Sequence, residues 1–350
     1  MITEKTILFP PYYEALSSEY PDFVLGRIVL QEKGLYNIIT VSGYRQPAEV
    51  SGKFRFDVSV PSDYPAVGDY VMVDINGGDT AIIHSILHRR SLFLRRAAGT
   101  ANTEQAACAN IDTIFICMAL NNDFNVRRLE RYLAAVWESG SVPVVLLTKS
   151  DLCDDLELKL VQVQNAAIGV DILTTSAIKD ELDTLLSYLK PGKTVAFVGS
   201  SGAGKSTLIN RLLGEERLKT GSLRNDDRGR HTTTHRELII LPNGAMVIDT
   251  PGMRELGMWD ASEGIDAAFA DIEALAEECR FSNCTHSGEP GCAICEALKT
   301  GKLPQSRWQS YLKLTAENAY AEDSENYLAV KEKKFKDISK YNKTRKRERK

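Results

Sequence analysis

The stretch GSSGAGKST, residues 199–207, brings Gly199, Gly202 and Gly204 together with Lys205, Ser206 and Thr207. Glycines let a loop wrap closely enough for its backbone N–H groups to cradle phosphate oxygens, and a helix starting there adds the positive end of its dipole. A lysine in this place reaches the β- and γ-phosphates, and a hydroxyl at Ser206 coordinates Mg²⁺. Ser200, Ser201 and Ala203 complete the cradle. The apolar VAFV before the loop and the helical pattern TLINRLL after it supply the strand–loop–helix setting that the chemistry needs.

Two further segments belong to phosphate chemistry. Asp249 ends the apolar run AMVID and opens DTPG. A carboxylate there is placed for the hydration shell of Mg²⁺, and the Gly252 backbone N–H for the γ-phosphate. DxxG alone is common in turns; downstream of a phosphate loop, at the end of an apolar strand, it carries more meaning. Between the two lies the polar segment RGRHTTTH (228–235). A threonine there can close onto Mg²⁺ and the γ-phosphate and release after hydrolysis. Thr233 is the first choice, with Thr232 and Thr234 as alternatives; the plainer reading is an ordinary polar loop.

A base-reading loop comes earlier. In VVLLTKSDL (144–152) an apolar run leads into Thr148, Lys149, Ser150 and Asp151. A carboxylate at Asp151 accepts hydrogen bonds from the N1–H and exocyclic amine of guanine, which adenine lacks, while the Lys149 stem lies across the base. Thr148 stands where such loops usually carry asparagine, and its hydroxyl spans less than an amide. Thr175, Ser176 and Ala177 end the next strand and offer backbone N–H groups to the guanine oxygen. The base is therefore read before the phosphates in chain order. A parallel sheet tolerates this, because joining the old termini and cutting elsewhere leaves every strand in place. The cut puts the switch segment and DTPG at the end of their domain, directly before a cysteine-rich stretch.

In that stretch Cys279, Cys284, His286 and Cys292 form C-x4-C-x-H-x5-C, three thiolates and an imidazole suited to a closed, structural Zn²⁺ site. Cys295 is a possible substitute for Cys292, and free thiols in a loop are the bland alternative. Cys108, Cys117 and Cys153 are scattered, which argues for metal rather than a disulfide framework.

These residues need elements to hold them. Residues 25–97 contain GRIVLQ, YNIITV, FRFDVSV, DYVMVDI and TAIIHSIL, short alternating runs that predict five strands and a small antiparallel barrel, OB-type or SH3-like. Over 98–257 the rhythm becomes strand–helix. IDTIFICMAL, VPVVLLT, VDILTTS and KTVAFVG read as buried strands, and Val126, Leu129, Leu133, Val136 and Trp137 form one helical stripe. RELIIL-PNG-AMVIDT reads as a hairpin. The fold class is thus multidomain: an all-β barrel, an open α/β sheet with ligand loops at the carboxyl ends of its strands, and an α-rich zinc-binding domain over 258–328. Residues 1–24 form an N-terminal extension.

Composition sets outer limits. No apolar stretch approaches the roughly 18–20 residues of a membrane span, and the acidic, proline-bearing start does not resemble a signal peptide; a cytoplasmic protein is expected. Net charge is only −4, yet residues 331–350 carry eleven Lys or Arg against three acids. That tail is either a solvated end or an arm for a large polyanion.

Taken together, ANIDTIFI, GSSGAGKST, GRHTTTH, DTPGMRELG and CRFSNCTHSGEPGCA closely resemble the ribosome small subunit-dependent GTPase A family. These are circularly permuted GTPases of bacterial small-subunit assembly. The resemblance covers the chain from about residue 25 and implies an OB-fold, a permuted GTPase domain and a zinc domain whose pattern selects Cys292 over Cys295. It further implies Mg²⁺-dependent hydrolysis of GTP to GDP, binding to the small ribosomal subunit and its rRNA, and a monomeric chain. Met253 occupies the place where many GTPases carry a water-orienting glutamine, and the family resemblance assigns that role to His231, beside Lys205 and Thr233. A neutral imidazole can hold and polarise a water; phosphate contact or solvent exposure are the alternatives for His231. The other functions open to the chain are an RNA-binding module with a regulatory nucleotide site, and a GTPase acting on a protein partner without RNA. Thr148, the long N-terminal lead and Cys295 depart from the family pattern.

Overall fold

A computed structural model describes residues 8–32, 34–75, 78–96, 104–176, 182–218, 236–249 and 262–322. Ala177, His231, Thr232, Thr233, Thr234, Gly252, Met253 and the basic tail lie outside the described residues. The chain divides into two compact units, Met1–Gly257 and Met258–Lys350.

The first unit opens with helix α1 (Pro11–Ser17) and strands β1 (Val24–Glu32), β2 (Leu35–Thr40) and β3 (Arg45–Val50). Helix α2 (Gly52–Asp57), β4 (Tyr70–Asp74) and β5 (Ala81–Ile86) come next. The five strands run β1-β2-β3-β5-β4 and close through a β1–β4 pairing, with β3 and β5 parallel and the other pairs antiparallel. Closure removes the exposed edges that a five-stranded sheet would otherwise present.

One expected strand is absent. FRFDVSV is not a strand: Phe54 and Phe56 lie on α2, where the Ser51 side chain caps the helix by accepting from the Phe54 N–H at 3.0 Å. The alternation of Phe, Phe and Val imitates a strand, but Phe56 is 90% exposed, so no core takes up that face. The third strand is instead RQPAEV, where Pro47 weakens the sequence signal because proline cannot donate to a ladder.

The second half of this unit is built from β8 (Thr113–Ala119), α3 (Val126–Glu138), β9 (Val142–Thr148), α4 (Leu156–Ala166) and β10 (Asp171–Thr175). It continues with α5 (Asp183–Leu186), β11 (Thr194–Gly199), α6 (Lys205–Leu213), β12 (Arg236–Ile240) and β13 (Met246–Asp249). Strands β10, β9, β8, β11 and β13 are parallel neighbours in that order, and β12 adds antiparallel to β13. Every residue of β8 and β11 is buried, as strands covered on both faces require. Phe115 and Phe197 stack at 5.1 Å within an apolar cluster that includes Val144, Leu208 and Val247. A hairpin of β6 (Leu92–Arg96) and β7 (Glu104–Ala109), with no counterpart among the expected strands, precedes β8.

Barrel and parallel sheet share one strand. The register of β1 shifts between Ile28 and Leu30; Val24–Arg27 pair with β4, while Leu30 and Gln31 pair with Glu237 and Arg236 of β12. Beneath this junction lies Arg27, fully buried. Its guanidinium donates to Thr194 Oγ1 at 2.8 Å and to the Gly68 carbonyl at 3.2 Å, and lies 4.6 Å from the Tyr70 ring centre. The N-terminal extension joins the same place. Tyr13 stacks on Tyr70 at 3.7 Å and donates to Asn110 Oδ1 at 2.7 Å. Thus residues from barrel, extension and sheet satisfy one another's buried polar groups.

The second unit contains α7 (Ser262–Ala268), α8 (Ala270–Glu277), α9 (Ala293–Thr300) and α10 (Gln305–Glu322). Its core is small: Ile265, Phe269, Ile272, Ile294, Trp308 and Leu314 are among its buried apolar residues. Arg307 ties α10 to α8 by donating to both Asp271 carboxylate oxygens at 2.8 and 2.6 Å. Among the described residues no helix is long and apolar enough to cross a membrane.

Candidate nucleotide site and metal centre

Because the strands are parallel, their carboxyl ends share one edge, and the chemistry-bearing residues lie there. Ala119 is in register with Thr148, Thr148 with Thr175, and Gly199 with Cys117. Asp249 closes β13, the neighbour of β11. The crevice between oppositely connected strands at such an edge is where open α/β sheets bind ligands.

The phosphate loop leaves β11 at Gly199 with φ of 138°. A Cβ there would sit 2.2 Å from the Cys117 carbonyl oxygen, so only glycine fits. Burial pushes the Cys117 thiol up to about 12, against the pull of the Lys205 charge, leaving a neutral, unreactive group under the loop. Gly202 and Gly204 also have positive φ, 78° and 88°, and Gly204 is the N-cap of α6. At the first turn of that helix, Lys205 extends its ammonium back over the loop, donating to the carbonyls of Gly199 and Ser200 at 2.7 Å each. Ser206 and Thr207 lie on the same turn.

The loop after β9 is fastened to the glycine-rich loop after β11. Thr148 is buried, and its hydroxyl donates to the Ala203 carbonyl at 2.8 Å. With its one proton engaged there, the hydroxyl ties two loops together that are 55 residues apart. Lys149 is left-handed, with φ of 59°, a conformation uncommon for residues with a side chain. Asp151 sits in a short turn over Ser150–Leu152, and its Oδ1 accepts from Ser176 Oγ at 2.6 Å. Thr175 and Ser176 are fully buried. The end of β10 thereby holds the carboxylate of the loop that follows β9.

Asp123, which no sequence motif singles out, joins this group from the loop after β8. Ser200 of the phosphate loop donates to Asp123 Oδ2. Arg128 grips the same carboxylate through both terminal nitrogens, at 2.9 to 3.1 Å. Burial works against the Asp123 anion, but the hydrogen bonds from Arg128 and Ser200 prevail and hold its carboxyl below the usual range. The position of NNDFN after a buried strand is the one signal in the sequence, since such loops border the crevice.

The cysteine cluster is assembled differently. Ligand atoms of Cys279, Cys284, His286 and Cys292 all lie within 4.8 Å of one another. His286 Nδ1 is 3.6 Å from Cys279 Sγ and 3.5 Å from Cys292 Sγ, and the two sulfurs are 4.0 Å apart. Tetrahedral Zn²⁺ with Zn–S near 2.3 Å and Zn–N near 2.1 Å needs donor–donor edges of about 3.5–3.8 Å. The donor set fits the ion, and four protein donors leave no open position of the kind a catalytic zinc keeps. Turns set these positions. His286 takes φ of 57°, and Glu289 bridges the loop by accepting from the Thr285 and Ser287 N–H groups at 2.9 and 2.7 Å. Hydrogen bonds from Thr285, its hydroxyl foremost, hold the Glu289 carboxyl down to about 2.

Comparison with known proteins bears on both sites. A family model described as RsgA GTPase matches residues 86–259. The small ribosomal subunit biogenesis GTPase RsgA 2 of Lactiplantibacillus plantarum is 51% identical over 85% of this chain and 84% of its own. The chain belongs to the RsgA GTPase family. RsgA 1 of Oceanobacillus iheyensis, named in the same way, is 45% identical over 90% of this chain and 92% of its own. Among solved structures, YjeQ from Thermotoga maritima superposes with a TM-score of 0.61 at 25% identity, covering 83% of this chain and 97% of that one. YloQ, described as a circularly permuted GTPase, gives a TM-score of 0.59 at 24% identity over 84% and 94% of the two chains, and shares the fold.

Proposed function

We propose that this RsgA-family chain hydrolyses GTP to GDP and phosphate and serves as a cytoplasmic, monomeric assembly factor that binds the small ribosomal subunit through its rRNA. The observation that carries the nucleotide reading is the pair of side-chain ties at the sheet edge. Thr148 joins the base loop to Ala203 of the phosphate loop, and Ser176 holds Asp151, so base and phosphate contacts are fixed relative to each other before a nucleotide arrives.

In this reading Asp151 accepts from the guanine edge, the Lys149 stem covers the base, and Thr175, Ser176 and Ala177 face the guanine oxygen. The backbone of residues 199–206 surrounds the phosphates, and the Lys205 ammonium exchanges its loop carbonyls for β- and γ-phosphate oxygens. Bound Mg²⁺ neutralises charge developing on those phosphates; Ser206, Thr233 and Asp249 are the residues proposed to hold it. Gly252 contributes a backbone N–H to the γ-phosphate, and His231 orients the attacking water. The barrel order β1-β2-β3-β5-β4 with closure by β1 supports an OB-type reading over an SH3-like one. OB barrel, basic tail and the zinc unit held by Cys279, Cys284, His286 and Cys292 then offer surfaces for structured RNA.

Single-turnover hydrolysis with and without small subunits tests the assignment. His231→Ala is expected to keep GTP affinity, because phosphate binding rests on residues 199–206. Hydrolysis falls by roughly 10²-fold or more, the contribution of a positioned acid–base group, and the mutant stays on the subunit longer in GTP. An unaltered intrinsic rate, with loss only of subunit stimulation, would make His231 an RNA contact instead.

A further inference from the structure

The metal cluster contains one thiol more than a tetrahedral ion uses. Cys295 stands three residues beyond Cys292, on the first turn of α9, an eight-residue helix whose N-cap is Cys292. The Cys295 N–H donates to Cys292 Sγ at 3.4 Å, and the Cys295 thiol reaches the His286 carbonyl at 3.5 Å. Cys295 is therefore packed against two members of the donor set without belonging to it. The two residues also differ in exposure: Cys292 is buried, at 5%, whereas Cys295 is partly exposed. Cys292 and Cys295 thus stand in Cys-x-x-Cys spacing at a helix start, the spacing used by dithiol–disulfide pairs.

We propose that Cys292 and Cys295 form a peroxide-sensitive pair that exchanges the bound metal for a disulfide. This rests on the zinc reading of the cluster. The accessible sulfur reacts first. Deprotonated Cys295 attacks a peroxide oxygen, the O–O bond breaks, and Cys295 sulfenic acid and hydroxide result; the hydroxide takes a proton from solvent. The Cys292 thiolate then attacks the sulfenic sulfur, forming the S–S bond and expelling a second hydroxide, which is likewise protonated. Two electrons pass from the sulfurs to one peroxide, which leaves as two waters. The metal keeps only Cys279, Cys284 and His286, and its hold on the small unit weakens. A thiol reductant reverses the change.

The test uses the zinc-loaded full-length chain and stepwise hydrogen peroxide. Zinc release is followed with a chromogenic chelator, and cysteine states by differential alkylation and mass spectrometry. Wild type is expected to release zinc in step with a Cys292–Cys295 disulfide and to rebind it after reduction. Cys295→Ser, which leaves the four donors intact, is expected to hold zinc when reduced and to lose the early phase of release. Equal release from both chains, a disulfide between other cysteines, or a Cys295→Ser chain unable to hold zinc each overturns the proposal. A wild-type chain that takes up no zinc under reducing conditions overturns the metal reading, and this inference with it.

Discussion

The candidate nucleotide site and the candidate metal centre are both built from loop residues, yet they are held by opposite means. At the sheet edge, Thr148, Thr175 and Gly199 end strands of the parallel sheet, and the apolar core beneath them fixes their spacing. In the second unit the donors hang on turns around a small core, and Cys292 alone of the four is buried. The first arrangement positions its chemistry through the fold. In the proposed zinc reading the second reverses the dependence, because a unit with so little apolar burial would gain folding energy from the ion. Each site should accordingly fail in its own way.

The largest expected effect is on the metal side. Cys284→Ser removes one of the four proposed donors, and with it part of an apparent zinc-binding free energy that is about 10–16 kcal/mol for an intact structural site. Limited proteolysis should cut within 258–322 while nucleotide affinity stays nearly unchanged. Full zinc occupancy in that variant would mean that the donor set is wrong, and a parallel loss of nucleotide binding would erase the contrast between the two units.

A smaller effect is expected from cutting one tie at the sheet edge. Thr148→Val keeps the shape but leaves the buried Ala203 carbonyl without its donor, at a cost of about 1–3 kcal/mol. Melting temperature should drop, and GDP affinity should weaken with it, because the two loops lose their mutual register. A variant with unchanged stability and affinity would show that the strand ends alone position the loops.

The contrast also explains how much of the molecule is legible in its sequence. The phosphate loop, the base loops and the metal donors are local patterns, each needing only a few adjacent residues, and the parallel strands that carry them are continuous apolar runs. Distant partnerships leave no such trace. Arg27 and Tyr13 look like ordinary barrel and leader residues until β11 and Asn110 arrive from far along the chain. Asp123 acquires a role only when Ser200 of the phosphate loop folds against it. Pro47 hides the third barrel strand, and the start of FRFDVSV, despite its strand-like alternation, lies on a capped helix that leaves Phe56 exposed. Period-2 patterning reports a possible buried face, and tertiary structure decides whether one exists.

The central claim is that two loops in reversed chain order form one guanine-reading site, and Asp151→Asn tests it most directly. In competition against labelled GDP, the variant should bind GDP roughly 10- to 100-fold more weakly, the loss of charge-assisted hydrogen bonds worth about 1.5–3 kcal/mol. Its affinity for xanthosine diphosphate should rise, because the new amide donates to the xanthine carbonyl. Unchanged GDP affinity with no gain for the xanthine nucleotide would remove Asp151 from the base site and contradict the account.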